Sequence, residues 1–214
     1  MVRAARSILV NYPLHVVQRG IDRSRCFFTD DDYRTYLRYL AEFSERFSCS
    51  VHAYCLMTNH VHLLLTPHTA DACALLMKNL GQCYVQGVNH RLDRTGTLWE
   101  GRFHSCLVTS DTYVLACYRY IELNPIRAGM VNVPSEYRWS SYAANAEGRP
   151  HGFLRSHAAY DSLSVEAQQR SRAYRSMCEE ELPTLVVDEI RKATRVGCAI
   201  GTRRRNRGRP PKAR

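Results

Sequence analysis

Two spacings of apolar residues alternate along the chain. Residues 8–19, ILVNYPLHVVQR, carry closely set aliphatics around Pro13 and predict a β-strand with a turn at the proline, closed by Gly20 and the loop IDRSR. The period then lengthens. Tyr36, Leu37, Leu40 and Phe43 recur at helical spacing, so 29–49 reads as a helix, with Thr29 or Asp30 as its cap and acids in its first turn. Strand-like runs follow at 50–57, SVHAYCLM, and 60–66, HVHLLLT, joined by Thr58-Asn59 as a hairpin. A helix is predicted over 70–92 and a strand over 98–110. A third helix covers 110–124, capped by Ser110 or Asp111, with Pro125 marking its end or a kink.

The order strand, helix, strand, strand, helix, strand, helix predicts an α+β sandwich with a mostly antiparallel sheet flanked by helices. This unit extends over 1–145. Residues 146–200 hold two further helical stretches, SVEAQQRSRAYRSMCEEE and LPTLVVDEIRKAT, and read as a small helical C-terminal extension. Residues 201–214 read as a basic tail, disordered without a partner.

Composition narrows the function classes. With 45% hydrophobic residues among 214 the chain can bury a sizeable core. Its longest apolar runs are too short to span a bilayer, and MVRAARSILVNYPLH turns polar too soon for a secretory signal. The expectation is a cytoplasmic, nucleoid-associated protein. The nine cysteines lack a CxxC pair and lie mostly among apolar or helical residues, which suits reduced, buried thiols rather than disulfides. Cys49, His52, Cys55 and His60 are conceivable zinc ligands, but at no usual spacing. The net charge is +10, and residues 203–214 supply seven Arg or Lys and no acid, leaving +3 before them. Such a balance points to a polyanionic partner, most simply nucleic acid.

On a strand, alternate side chains share a face. His60, His62 and Leu64 therefore lie on one side, and the aliphatic Val61, Leu63 and Leu65 face the helical core layer. Two imidazoles side by side can chelate a cation, although an isolated His-x-His is weak evidence. On the helix 111–124, Val114, Tyr118 and Ile121 form an apolar stripe beside a second stripe of Tyr113, Cys117, Tyr120 and Asn124. A phenol is a potential nucleophile, and an amide oxygen is a hard ligand for a divalent cation.

Four segments in this order, HVVQRG, AYCLMTNHVHLLLTP, LWEGRFHSCLV and YVLACYRYIELNPIRAGMV, closely resemble the REP-associated tyrosine transposases, of the single-tyrosine branch of the HUH nucleases. The resemblance covers roughly residues 8–145. It implies a ferredoxin-like core that nicks single-stranded DNA at hairpin-associated (REP-type) sites and can rejoin it through a 5′-phosphotyrosine intermediate. It makes His60, His62 and Asn124 the ligands of Mg²⁺ or Mn²⁺ and Tyr120 the nucleophile. Transposon-encoded relatives tend to carry Gln where this chain has Asn124, which puts self-mobilisation in question but not nicking. Tyr113 and Tyr118 are rival nucleophiles: the first is seven residues from Tyr120, and the second points into the apolar stripe. Tyrosine hydroxyls are protonated at neutral pH, so attack needs a base, a metal-bound hydroxide or local positive charge, and the sequence does not say which.

Single strands are held by basic grooves with aromatic platforms. Arg19, Arg23, Arg25, Trp99, Arg102 and His104 are the expected DNA contacts; a charged loop and a core tryptophan are the competing reading. Arg207 and Arg209 of RGRP resemble an AT-hook for A·T-rich duplex. Two other functions compete: a non-catalytic hairpin DNA-binding protein, and a zinc-structured RNA-binding module. The chain is expected to act as a monomer or homodimer.

Overall fold

The alternation of strands and helices closes into one four-stranded antiparallel sheet. In the computed structural model, which describes residues 9–201, the first six elements are β1 (Leu14–Arg19), α1 (Asp30–Arg46), β2 (Cys49–Met57), β3 (His60–Pro67), α2 (Ala72–Arg91) and β4 (His104–Leu107). The strand order is β2-β3-β1-β4, with every neighbouring pair antiparallel. Each crossover, β1-α1-β2 and β3-α2-β4, skips the strand between its ends. This is the ferredoxin-like arrangement.

Local chemistry sets the element ends. Thr29 caps α1 in a capping box: the Asp32 carboxylate accepts from the backbone N–H of Phe28 at 2.8 Å and of Thr29 at 2.9 Å. β1 is shorter than expected, because 9–12 form a turn with Asn11 at φ 64° and Pro13 has no N–H for a ladder. β4 is shorter too. Residues 98–100 run beside the loop after β1 instead, with Ile21 N–H donating to Leu98 O at 2.9 Å and Glu100 N–H to Arg19 O at 2.9 Å.

The sheet separates two cores. On one face Val61, Leu63 and Leu65 of β3 join Leu14 and Val16 of β1 and the apolar sides of α1 and α2, as the alternation predicted. A bulge at His52 keeps β2 in phase: Val51 pairs with Leu65 and Ala53 with Leu64, so Val51, Tyr54 and Leu56 all reach this core despite the odd spacing. Ala53, Cys55, Met57 and Leu64 are turned to the other face.

That second face is covered by α3 (Asp111–Glu122), which continues after a break at Leu123 into the single turn α4 (Asn124–Arg127). Behind it lie α5 (Tyr142–Asn145), α6 (Ala158–Asp161), α7 (Ala167–Glu179) and α8 (Thr184–Val196). The region expected as a small extension is an integral part of this core. Tyr160, Tyr174, Val187, Ile190 and Ala193 pack with Tyr118, Ile121 and Leu64. Beyond α8, Ile200 N–H donates to Leu107 O at 2.8 Å and its carbonyl accepts from Thr109 N–H at 3.0 Å. The covering is a matter of apolar area: Leu64 alone, fully buried, is worth ~2 kcal/mol.

Candidate active site

The face of β3 carrying His60 and His62 is the face covered by α3. The two ring centroids lie 4.9 Å apart. Antiparallel register places His62 opposite Val17 and His15 opposite Leu64, so His15 of β1 is a diagonal neighbour of His62 on the same face. The His15 and His62 rings stack at 5.2 Å, and His15 Nε2 lies 2.9 Å from His62 Nδ1. Tyr120 comes down from α3 with its ring edge-on to both, 5.6 Å from His15 and 5.6 Å from His62. The exposed Arg127 reaches back from α4, its guanidinium 4.4 Å over the Tyr120 ring and donating to the Tyr120 carbonyl.

Burial keeps this histidine cluster neutral. His15 is pushed down to about 3 by desolvation, with Arg127 adding to the effect. His60 is pushed down to about 4 by desolvation and then Arg19. His62 is held well below the usual range, by desolvation first and then by its imidazole and arginine neighbours. A metal ligand must be a neutral imidazole. His60 Nδ1 sits 2.6 Å from Asn59 Oδ1; since Asn59 Nδ2 donates to Arg23 O at 3.1 Å, that oxygen accepts and His60 Nδ1 is the donor. His60 thus keeps its lone pair on Nε2. Asn124 opens α4, four residues after Tyr120 and across the break at Leu123; it is buried, and its amide nitrogen, a donor only, lacks a hydrogen-bond partner. Neutral imidazoles with Nδ1 engaged and Nε2 lone pairs free fit a divalent cation's donor set.

The rival tyrosines are otherwise engaged. Tyr113 donates to Glu189, a bond that, ahead of desolvation, raises its phenol to about 12. Tyr118 is fully buried in the second core, its hydroxyl accepting from His157 N–H at 3.2 Å. The zinc set does not assemble. His52 spends both ring nitrogens, on Arg155 O at 2.6 Å and Thr66 Oγ1 at 2.8 Å, and no group of three His, Cys, Asp or Glu suited to a metal occurs among the described residues.

Of the expected DNA contacts, Arg19, Arg23, Arg25, Arg102 and His104 are exposed. Arg19 is paired in register with His60, which brings it to the rim of the site. Trp99 is a correction. It is buried against Tyr36 and Tyr84, so its faces are not free as a stacking platform; burying a large apolar ring outweighs leaving it open. Arg207 and Arg209 lie outside the described residues. Sequence reasoning missed His15 and Arg127. His15 had a period-2 signal in LHVVQR, with His15, Val17 and Arg19 on one face; nothing in the sequence marked Arg127.

Comparison with known proteins decides the family: residues 9–124 match that of the IS200-like transposases. The chain belongs to this family. A candidate REP-associated tyrosine transposase of Haemophilus influenzae is 25% identical over 133 residues, covering 56% of this chain and 74% of that protein. The solved structure of a REP-associated tyrosine transposase bound to a REP hairpin shares the fold, with a TM-score of 0.55 at 16% identity over 74% of this chain and 96% of that one. A candidate transposase from Deinococcus radiodurans aligns with 60% of this chain and 98% of its own, at 16% identity and a TM-score of 0.40. In this member of the family α5 to α8 lie beyond the family-matched segment, yet they close the same core as the face that carries His60, His62 and Tyr120. No helix among the described residues is long and apolar enough to cross a membrane.

Proposed function

We propose that this IS200-like transposase is a metal-dependent tyrosine nuclease and strand transferase acting on single-stranded DNA at REP-type hairpins. The observation that carries the reading is Tyr120, whose ring is set edge-on to His62 and capped by the Arg127 guanidinium. The phenol oxygen attacks the scissile phosphorus, the new bond to Tyr120 forms as the bond to the 3′ oxygen breaks, and the 3′-hydroxyl leaves protonated. The phosphotyrosine link retains the energy of the broken bond, so the 3′-hydroxyl can reverse the step. Arg127, its guanidinium over the Tyr120 ring, is a positive charge beside the nucleophile and offsets the charge that builds on the phosphate. Mg²⁺ or Mn²⁺, held by His60, His62 and Asn124, would supply charge neutralisation at the phosphate oxygens. Arg19, at the rim, is placed to meet the flanking backbone. The REP hairpin in the related solved structure and the chain's basic tail support the choice of substrate.

The test is a covalent-adduct assay with single-stranded hairpin DNA and Mn²⁺. The wild-type chain should form a denaturant-resistant adduct that Tyr120→Phe abolishes. Arg127→Ala should reduce the rate by about 10²–10³. An adduct that survives Tyr120→Phe overturns the nucleophile. Tight hairpin binding with no wild-type adduct leaves only the non-catalytic DNA-binding protein.

A further inference from the structure

Helix α8 reaches the histidine cluster from outside the family-matched segment. Thr194 Oγ1 donates its one proton to Ile190 O at 2.8 Å, a bond back along its own helix to a group that can only accept. Its oxygen therefore accepts from its other neighbours, Cys106 Sγ at 3.3 Å and His15 Nδ1 at 2.8 Å. With Nδ1 protonated, neutral His15 has its lone pair on Nε2, and that nitrogen accepts from His62 Nδ1–H across 2.9 Å. His62 is left with its lone pair on Nε2. Free neutral imidazole favours the opposite tautomer, with the proton on Nε2.

From this chain of bonds we infer that Thr194, acting through His15, fixes the tautomer in which His62 offers Nε2 to a divalent cation. Thr194 and His15 are positioning residues, and neither touches the ion. The inference rests on the metal-binding reading of His60 and His62, and it adds that the last helix of the chain governs one of those ligands. All three groups are buried, with Thr194 5%, His15 1% and His62 4% exposed, so water does not compete for the bonds. Each proton position then dictates the next. Without the threonine oxygen, an Nδ1–H on His15 is buried and unpaired, and the proton is better placed on Nε2. His15 then donates to His62 Nδ1, and the His62 proton moves to the nitrogen that the cation needs.

The test reads tautomers in the metal-free protein by long-range ¹H–¹⁵N NMR of the imidazoles at pH 7.5, then titrates the same samples with Mn²⁺. In the wild type His62 should be protonated at Nδ1. Thr194→Val, nearly isosteric, should move that proton to Nε2 and weaken Mn²⁺ binding tenfold to a hundredfold. Thr194→Ser should restore both wild-type values, and His15→Gln, whose amide oxygen can still accept, should keep His62 protonated at Nδ1. A wild-type His62 protonated at Nε2 overturns the inference, as does a Thr194→Val protein with an intact amide spectrum and unchanged tautomers. Should the tautomers shift as stated while Mn²⁺ binds no form, wild type included, the relay stands and the metal-dependent reading of the site falls.

Discussion

Glu122 offers the sharpest check on how the second core is held. It lies on α3 two residues after Tyr120, fully buried, and its carboxylate accepts from Ser141 Oγ at 2.5 Å, Asn145 Nδ2 at 2.7 Å and Tyr174 OH at 2.7 Å. Desolvation pushes it up to about 7 from an ordinary 4.5, against three donors that favour the charged form. The folded-state value is raised, so the group's stabilising contribution is complete below pH 4.5 and is lost as pH rises to about 7. A shift of this size corresponds to about 3 kcal/mol at 1.36 kcal/mol per unit. Glu122→Gln is nearly isosteric, keeps an oxygen for Ser141 and Asn145, and cannot titrate. Its stability relative to wild type should therefore rise by about 3 kcal/mol between pH 4.5 and pH 8. Urea unfolding of both proteins across that range measures the difference, and every other titrating group cancels. Parallel profiles would show that the carboxyl does not titrate in this window and would sink the reasoning. Glu122→Ala supplies the scale. The Ser141 hydroxyl has a second acceptor, Tyr54 O at 3.3 Å, whereas Asn145 keeps only the N–H it gives to His52 O at 3.2 Å, so Tyr174 and one Asn145 N–H lose their acceptor. These orphaned donors plus the lost side-chain volume cost about 4 kcal/mol, a fall in Tm of roughly 10 °C.

Glycines give a paired prediction. A Cβ at Gly20 would meet the backbone oxygen of Ser24 at 2.3 Å, whereas one at Gly81 meets Trp99 Nε1 at an ordinary 3.5 Å. Chemical denaturation should show Gly20→Ala losing about 2 kcal/mol and Gly81→Ala, inside α2, gaining up to ~1 kcal/mol. Deleting 203–214 removes seven basic residues. Fluorescence titrations should show a uniform loss of DNA affinity with a shallower salt slope; a loss confined to A·T-rich duplex would instead make RGRP a minor-groove hook.

The parts of this site that were legible in the sequence are those written in a local period. Alternation on β3 places His60 and His62 on one face, where their ring centroids lie 4.9 Å apart. That regularity survives folding because a strand's faces are set before anything packs on them; the helical spacing of Tyr120 and Asn124 runs instead across the break at Leu123. The parts that were not legible are relations between elements. His15 becomes a partner of His62 only once β1 is inserted beside β3, 47 residues away in sequence. Arg127 required knowing that the chain breaks at Leu123 and re-enters a helical turn, so that a residue after the Asn-Pro pair folds back over Tyr120. Thr194, 179 residues from His15, sits in a stretch whose amphipathic pattern says only that one side is buried. That pattern suits an appendage as well as a lid. What distinguishes the two is the β1–β4 side of the sheet: Cys106, Val108 just after β4 and the buried His15 lie on its second face, where Thr194 of α8 reaches both His15 and Cys106. A ferredoxin-like sheet needs apolar cover on a second face only when that face is apolar. Here the alternation of β4, with Cys106 on one side and Leu107 on the other, already carried the requirement.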